Sequence, residues 1–307
     1  MIRRLWPVAA IVAALLPLAM PVYYVSLATE ILIFAVLAMS VDMLAGFAGR
    51  TSLCHGAIFG TSAYVTLYMA SVAGFSIPLA MVAGLGAATV LAAVFGILAV
   101  RSSGVYFLLL TLALGLIVWG VCLRWTEITG GENGLRAQLR ESIGLSDRQL
   151  YVAVLVAVAV ATSAMWRFVR SPFGLTMRGI KEGEGRMASL GYNVPLHLLI
   201  AFTASGFFAG CAGVLYAVFN DFVSPSSVEL AQSVQGLLMA IVGGVGTLFG
   251  SFIGSFAIIA MEQTVSQWTN RWPTILGLIF IGTMIFAPEG VLGAARAVLR
   301  RGQNRNK

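Results

Sequence analysis

From Ile77 to Ala99 the chain reads IPLAMVAGLGAATVLAAVFGILA, without one charged side chain. An α-helix rises about 1.5 Å per residue, so a stretch of this length crosses the ~30 Å hydrocarbon core of a bilayer. Comparable runs recur from end to end, and no other feature narrows the fold so far. They fall at roughly 6–25, 27–46, 57–74, 77–99, 105–123, 150–168, 198–219, 229–247, 250–268 and 273–290. The pattern predicts an all-α polytopic membrane protein, one domain over 1–307, with about 10 transmembrane helices. A transmembrane β-barrel would need short alternating strands, and these runs do not alternate. Composition agrees: 59% of residues are hydrophobic and 10% charged, with a mean hydropathy of +0.92, whereas soluble domains carry about 25% charged residues.

A net charge of +7 would ordinarily raise nucleic acid as a partner. Its distribution points to lipid instead. With the amino terminus inside, Arg3, Arg4, Arg50, Arg101, Arg167, Arg170, Arg178, Lys181 and Arg186 lie on the cytoplasmic side. So do Arg296, Arg300, Arg301, Arg305 and Lys307, leaving Arg124, Arg136, Arg140, Arg148 and Arg271 outside. Fourteen of the 19 basic residues are then cytoplasmic, as the positive-inside rule requires, and both termini are placed there. The opening MIRRLWPVAAIVAALLPLAM is read as an uncleaved first span, although SLA at 26–28 resembles a signal-peptide cleavage site. Cys54, Cys122 and Cys211 are scattered without a CxxC pair, and with only His55 and His197 no metal set is expected.

Two polar insertions interrupt the apolar pattern. One, 124–149, is an outside loop, RWTEITGGENGLRAQLRESIGLSDRQ; the other, 171–195, is an inside loop, SPFGLTMRGIKEGEGRMASLGYNVP. Residues 291–307 form a basic cytoplasmic tail. Glycines Gly246, Gly250 and Gly254 are spaced four apart, which reads as one helix face, and Gly206 and Gly210 repeat the spacing. In lipid, helices associate through close packing of small residues. Such a face packs either within this chain or against a second membrane subunit. GFAGRTSLCHGAIFG (46–60) and GGVGTLFGSFIG (243–254) form a weak internal echo at two inside turns.

Signals for enzymatic chemistry are poor. The chain has no GxxxxGK[ST], GxSxG or HExxH, so catalysis in this chain is not expected and any nucleotide-driven step needs another subunit. Asp42 and Glu262 stand within or at the edges of spans, where a carboxylate costs ~2.5–3.5 kcal/mol at mid-bilayer and needs a partner or water. Arg50 or Arg101 could neutralise Asp42. Structural pairing and a wet pathway or gate are both open for the two acids. Gly46, Gly49 and His55 lie at the same inside edge, where glycine permits close approach or a helix break.

The inside loop reads as one short helix started by Pro172 and ended by Gly191. Met177, Ile180, Met187 and Leu190 line one side, while Arg178, Lys181, Glu182, Glu184 and Arg186 point elsewhere. Glycines at 179, 183 and 185 cost about 1 kcal/mol each in helix propensity, so the segment is expected to be ordered by a docking protein. Met177, Ile180 and Met187 are expected on that buried face, with Glu184 pairing a basic residue of the partner. An amphipathic helix resting on lipid is the alternative.

This loop resembles that of LivM-type permease subunits of branched-chain amino acid ABC importers. The resemblance runs from about residue 30 to 295, through SVDMLAGFAGRTSLCHGAIFGTSAY, ITGGENGL, RGIKEGEGRMASLGYNV, VGGVGTLFGSFIG and RWPTILGLIFIGTMIFAPEGVLG. The family usually has Asn where this chain has Asp42, and two alanines where it has Arg186 and Met187. It implies an ABC importer permease fold in a bacterial inner (plasma) membrane. It also implies a second homologous permease subunit, two ATPase subunits docked on coupling loops, and a periplasmic substrate-binding protein. ATP would be used by the partner subunits, with no cofactor in this chain. Relatives carry branched-chain amino acids, urea, short amides or aromatic acids. An ion-coupled secondary transporter and a small-solute channel remain as alternatives.

Overall fold

The computed structural model describes residues 20–266, with Thr274, Ile275, Gly277, Leu278, Ile281 and Gly282 beyond them. The span expected at 273–290 and the tail 291–307 lie outside the described residues, apart from those few; of the span expected at 6–25 only 20–25 are described, and Val22 to Val25 belong to a helix that runs on to Asp42. Among the described residues the first helices are α1 (Val22–Asp42), α2 (His55–Ser71), α3 (Ile77–Ala99), α4 (Gly104–Arg124) and α5 (Asp147–Arg170). Two short helices follow, α6 (Pro172–Glu182) and α7 (Glu184–Ser189), then α8 (Val194–Asn220), α9 (Leu230–Gly243) and α10 (Gly250–Val265). Helix α1 runs on into a π-helical segment, Met43–Ala48. Among the described residues five helices are long and apolar enough to span a membrane: Val22–Ala48, Ile77–Ala99, Gly104–Arg124, Asp147–Arg170 and Val194–Asn220. Helices α2, α9 and α10 are shorter, so the expected number of about ten spans is not reached by the described helices.

Local chemistry fixes several helix starts. Ser146 and Gln149 close a capping box at α5: the Ser146 hydroxyl accepts from the Gln149 N–H, and the Gln149 side chain accepts from the Ser146 N–H at 3.0 Å. Ser171 caps α6 with Pro172 beside it, and Asn193 caps α8 with Pro195 in its first turn.

The centre of the molecule is α1. Every residue from Ile33 to Leu44 is buried, among α5, α8, α9 and α10. Helix α8 packs on α2 and α3, which also pack on each other. Small residues make that approach possible: a Cβ on Gly206 would strike the Ala92 Cβ, and one on Gly213 would strike the Phe59 carbonyl. Helices α3 and α4 turn much of their surface outward through Val82, Val90, Ile97, Val105, Leu109 and Ile117. Such faces suit hydrocarbon.

The glycine face expected from Gly246, Gly250 and Gly254 is corrected. Gly246 lies in the turn before α10 with φ +80°, so only Gly250 and Gly254 belong to the helix. A Cβ on those two would meet the carbonyls of Gly243 and Met239, so they pack α10 onto α9 within the chain. The echo of two inside turns becomes a physical contact, because Gly46 abuts Gly246.

Loops gather at two ends. At one, segments 43–54, 100–103, 171–193 and 244–249 meet; at the other, two-residue strands β1 (Leu135–Arg136) and β2 (Phe222–Val223) pair antiparallel, Leu135 opposite Val223. Arg50, Arg101, Arg167, Arg170, Arg178, Lys181 and Arg186 mark the first, basic end. Arg124, Arg136, Arg140 and Arg148 mark the other.

Candidate functional site

At the basic end α1 delivers Asp42, fully buried, to the turn between α9 and α10. One carboxylate oxygen accepts from the Gly246 N–H at 2.6 Å and the other from the Leu248 N–H at 2.9 Å. Charge-assisted bonds to backbone donors thus satisfy an acid that the sequence left in need of a cation. Arg50 and Arg101 do not neutralise it: the Arg50 guanidinium pairs with Glu184 at 2.6 Å, donates to the Ser102 carbonyl at 2.8 Å and lies 5.5 Å from the Phe107 ring centroid. Gly46 is one turn beyond Asp42, and a Cβ there would strike Gly246 N and the Asp42 carboxylate. Glycine is required by that approach.

Gly49 ends the π segment with φ +72°, a left-handed conformation favouring glycine. Its surroundings bring in the polar loop. Lys181 lays its stem against Gly49 and donates from Nζ to the Gly46 carbonyl at 2.7 Å. The last carbonyls of a helix lack partners within it, and the lysine supplies one. Arg178 sits 4.9 Å from the Phe47 ring centroid.

The loop itself differs from one helix. Gly183 splits it into α6 and α7, its N–H accepted by the Gly179 and Ile180 carbonyls. Helix α7 folds back so that the Met187 sulfur lies over Gly179, where a Cβ would come within 2.8 Å of it. Met177 and Ile180 are buried in the chain's own core, at 0% and 1% exposure. The expectation that Met177, Ile180 and Met187 await a partner is therefore corrected: α6 uses its apolar stripe to hold itself against the bundle, with Gly174 seated on the Val169 carbonyl. Glu184 is likewise engaged internally by Arg50, in place of the external cation expected for it. Leu175 and Leu190 remain outward, 71% and 68% exposed. Gly191 follows α7 with φ +87°, the helix-end role expected of it.

His55 is buried at the start of α2. Ser205 donates to the Ser40 carbonyl at 2.6 Å, so its oxygen is left to accept from His55 Nε2 at 2.6 Å. Nδ1 then accepts from Ser52, 3.1 Å away. A neutral imidazole thus ties α1, α2 and α8 together. Glu262 accepts from the Gln235 amide at 2.8 Å, and the neighbouring Gln263 donates to Glu30 at 3.4 Å. Pairing is with amides rather than a cation. The sequence reading missed Glu30, Gln235 and Gln263; a second acid in the outer part of a span was the available signal.

At the opposite end, TGGENGL packs on the chain itself. Asp221, with φ +53°, accepts from the Leu139 and Arg140 N–H groups at 2.9 and 3.3 Å, and Arg140 pairs with Asp147. Burial raises the Asp221 carboxyl above its ordinary range, against the lowering effect of those two N–H donors. A Cβ on Gly134 would strike the Val223 carbonyl, so glycine lets this loop close over β2.

A bundle of lipid-suited helices with ordered, mutually braced loops at both ends has the build of a multi-pass membrane protein. The family described as branched-chain amino acid transport system / permease component matches residues 23–288, and the chain belongs to that family. It is 28% identical over 304 residues to the high-affinity branched-chain amino acid transport system permease protein LivM of Escherichia coli (strain K12), covering 90% of this chain and 71% of the relative. LivM of Salmonella typhimurium is 28% identical over 307 residues, with the same coverage. The autoinducer 2 import system permease protein LsrC of Enterobacter sp. (strain 638) is 28% identical over 227 residues, 69% of this chain and 64% of that protein. No solved structure matches the chain.

Proposed function

We propose that the chain is the permease subunit of an ATP-driven importer for branched-chain amino acids or a related small solute, with segment 171–195 as its ATPase coupling loop. The observation that carries this reading is the build of that loop. Helices α6 and α7 are braced from inside by Met177, Ile180, Lys181 and Glu184, yet turn Leu175 and Leu190 to solvent. A loop that merely connects two spans needs no such bracing, and a channel needs no docking surface.

The basic end is then cytoplasmic, in a bacterial inner membrane, with both termini on that side. Two ATPase subunits dock there and hydrolyse the ATP, a second homologous permease completes the pathway, and a periplasmic binding protein delivers solute at the TGGENGL end. The LivM relatives support a branched-chain amino acid as solute, and the LsrC relatives show that similar permeases are named for a different one. Asp42 and Glu262, each held by fixed donors, support a structural rather than an ion-coupling role.

Leu175→Asp and Leu190→Asp test the loop. Either should cut co-purification of the ATPase by about tenfold, since an aliphatic contact buried on docking contributes about 1.5–3 kcal/mol, while the permease stays folded. Undiminished co-purification from both variants would refute docking on this face.

A further inference from the structure

Segment Met43–Arg50 is gripped from two sides. From α6 and α7, Lys181 donates to the Gly46 carbonyl at 2.7 Å, Arg178 covers the Phe47 ring, and Glu184 holds Arg50 at 2.6 Å. From the α9–α10 turn, Gly246 and Leu248 donate to Asp42 at 2.6 and 2.9 Å, and Gly246 packs directly on Gly46. Between these holds the helix is π rather than α, a geometry that is rare and concentrated at functional sites. Helix α1 continues from there through the centre of the bundle.

We propose that Lys181 is a positioning residue for transport, with the Arg50–Glu184 pair as its second bridge: the two carry displacement of α6–α7 into the π segment and through Asp42 into turn 244–249. This rests on the importer reading and adds which residues transmit the stroke. The geometry favours transmission over simple anchoring. Anchoring of α6 is already supplied by Met177 and Ile180, which pack into the bundle's hydrophobic core. Lys181 and Glu184 add polar bonds to one backbone segment only. Both bonds end on that segment: one on the Gly46 carbonyl at a helix end, the other on Arg50, a residue only 5% exposed that also donates to the Ser102 carbonyl and lies over the Phe107 ring.

The test uses the complex with its ATPase, reconstituted in liposomes. The wild-type complex is first scored for uptake of labelled leucine, isoleucine, valine, urea and benzoate, and the solute carried serves as probe. Lys181→Met keeps the stem that covers Gly49 and removes the donor. Uptake per ATP hydrolysed should fall about tenfold, the scale of one lost charge-assisted bond, with the ATPase still bound. Lys181→Arg, which retains a donor, should restore most of the ratio, and Glu184→Gln should show the same split as Lys181→Met. A wild-type ratio in Lys181→Met, or an Arg variant as uncoupled as the Met variant, would overturn the proposal. So would a Lys181→Met complex that fails to assemble beside a Glu184→Gln complex that is normally coupled, because the lysine would then be structural. A wild-type complex that takes up none of the probes with ATP would sink the importer reading instead.

Discussion

Asp42 is a fully buried carboxyl whose two oxygens are each bonded by a backbone N–H group. Each oxygen has its own donor. Asp42→Asn would keep one acceptor and turn an amide NH2 toward the other N–H, leaving a buried donor unpaired at about 1–3 kcal/mol. Asp42→Ala leaves both unpaired and should lose more. Thermal unfolding in detergent should rank wild type above Asn above Ala; equal midpoints for all three would show that turn 244–249 is held by something else. The sequence exposed the need for a partner at Asp42 and pointed to arginine, since charge is the partner that spacing alone suggests. A glycine-rich turn 200 residues away offering N–H groups is invisible to spacing. For His55 the hydrogen-bonded role was legible, while Ser205 and Ser40 were not, because serine in a span carries no periodic signal.

Among the elements, the long spans were the legible part. Ile77–Ala99 and Gly104–Arg124 fall within a residue or so of the apolar runs, because burial in hydrocarbon leaves no ambiguity in such runs. Less legible was 171–195, where an amphipathic stripe was read as a surface for a partner. A stripe records burial but not the identity of what buries it, and here the chain's own bundle does so through Met177 and Ile180. The split at Gly183 was also hidden, since three glycines weaken a helix without saying where it breaks. The element order places loop 124–149 and loop 171–193 at opposite ends of the bundle. In a single-cysteine background, Asn133→Cys should react with an impermeant thiol reagent from outside intact cells and Ser189→Cys should not. Labelling of the second with protection of the first would invert the orientation.

At the scale of the whole molecule, a chain that is 59% hydrophobic belongs to a permease family, and the proposed function assigns its energy supply to a partner ATPase. Its central helix is α1, tied at the basic end to both the α6–α7 pair and the α9–α10 turn. The proposed function requires that transport through this chain depend on nucleotide hydrolysis by a partner docked at the basic end. The direct measurement is solute uptake by proteoliposomes holding the full complex, with ATP inside, against the same complex carrying an ATPase whose phosphate-binding lysine is replaced. Uptake above background only with the intact ATPase is the predicted result. Equal uptake by both, or uptake by this chain alone, would contradict it.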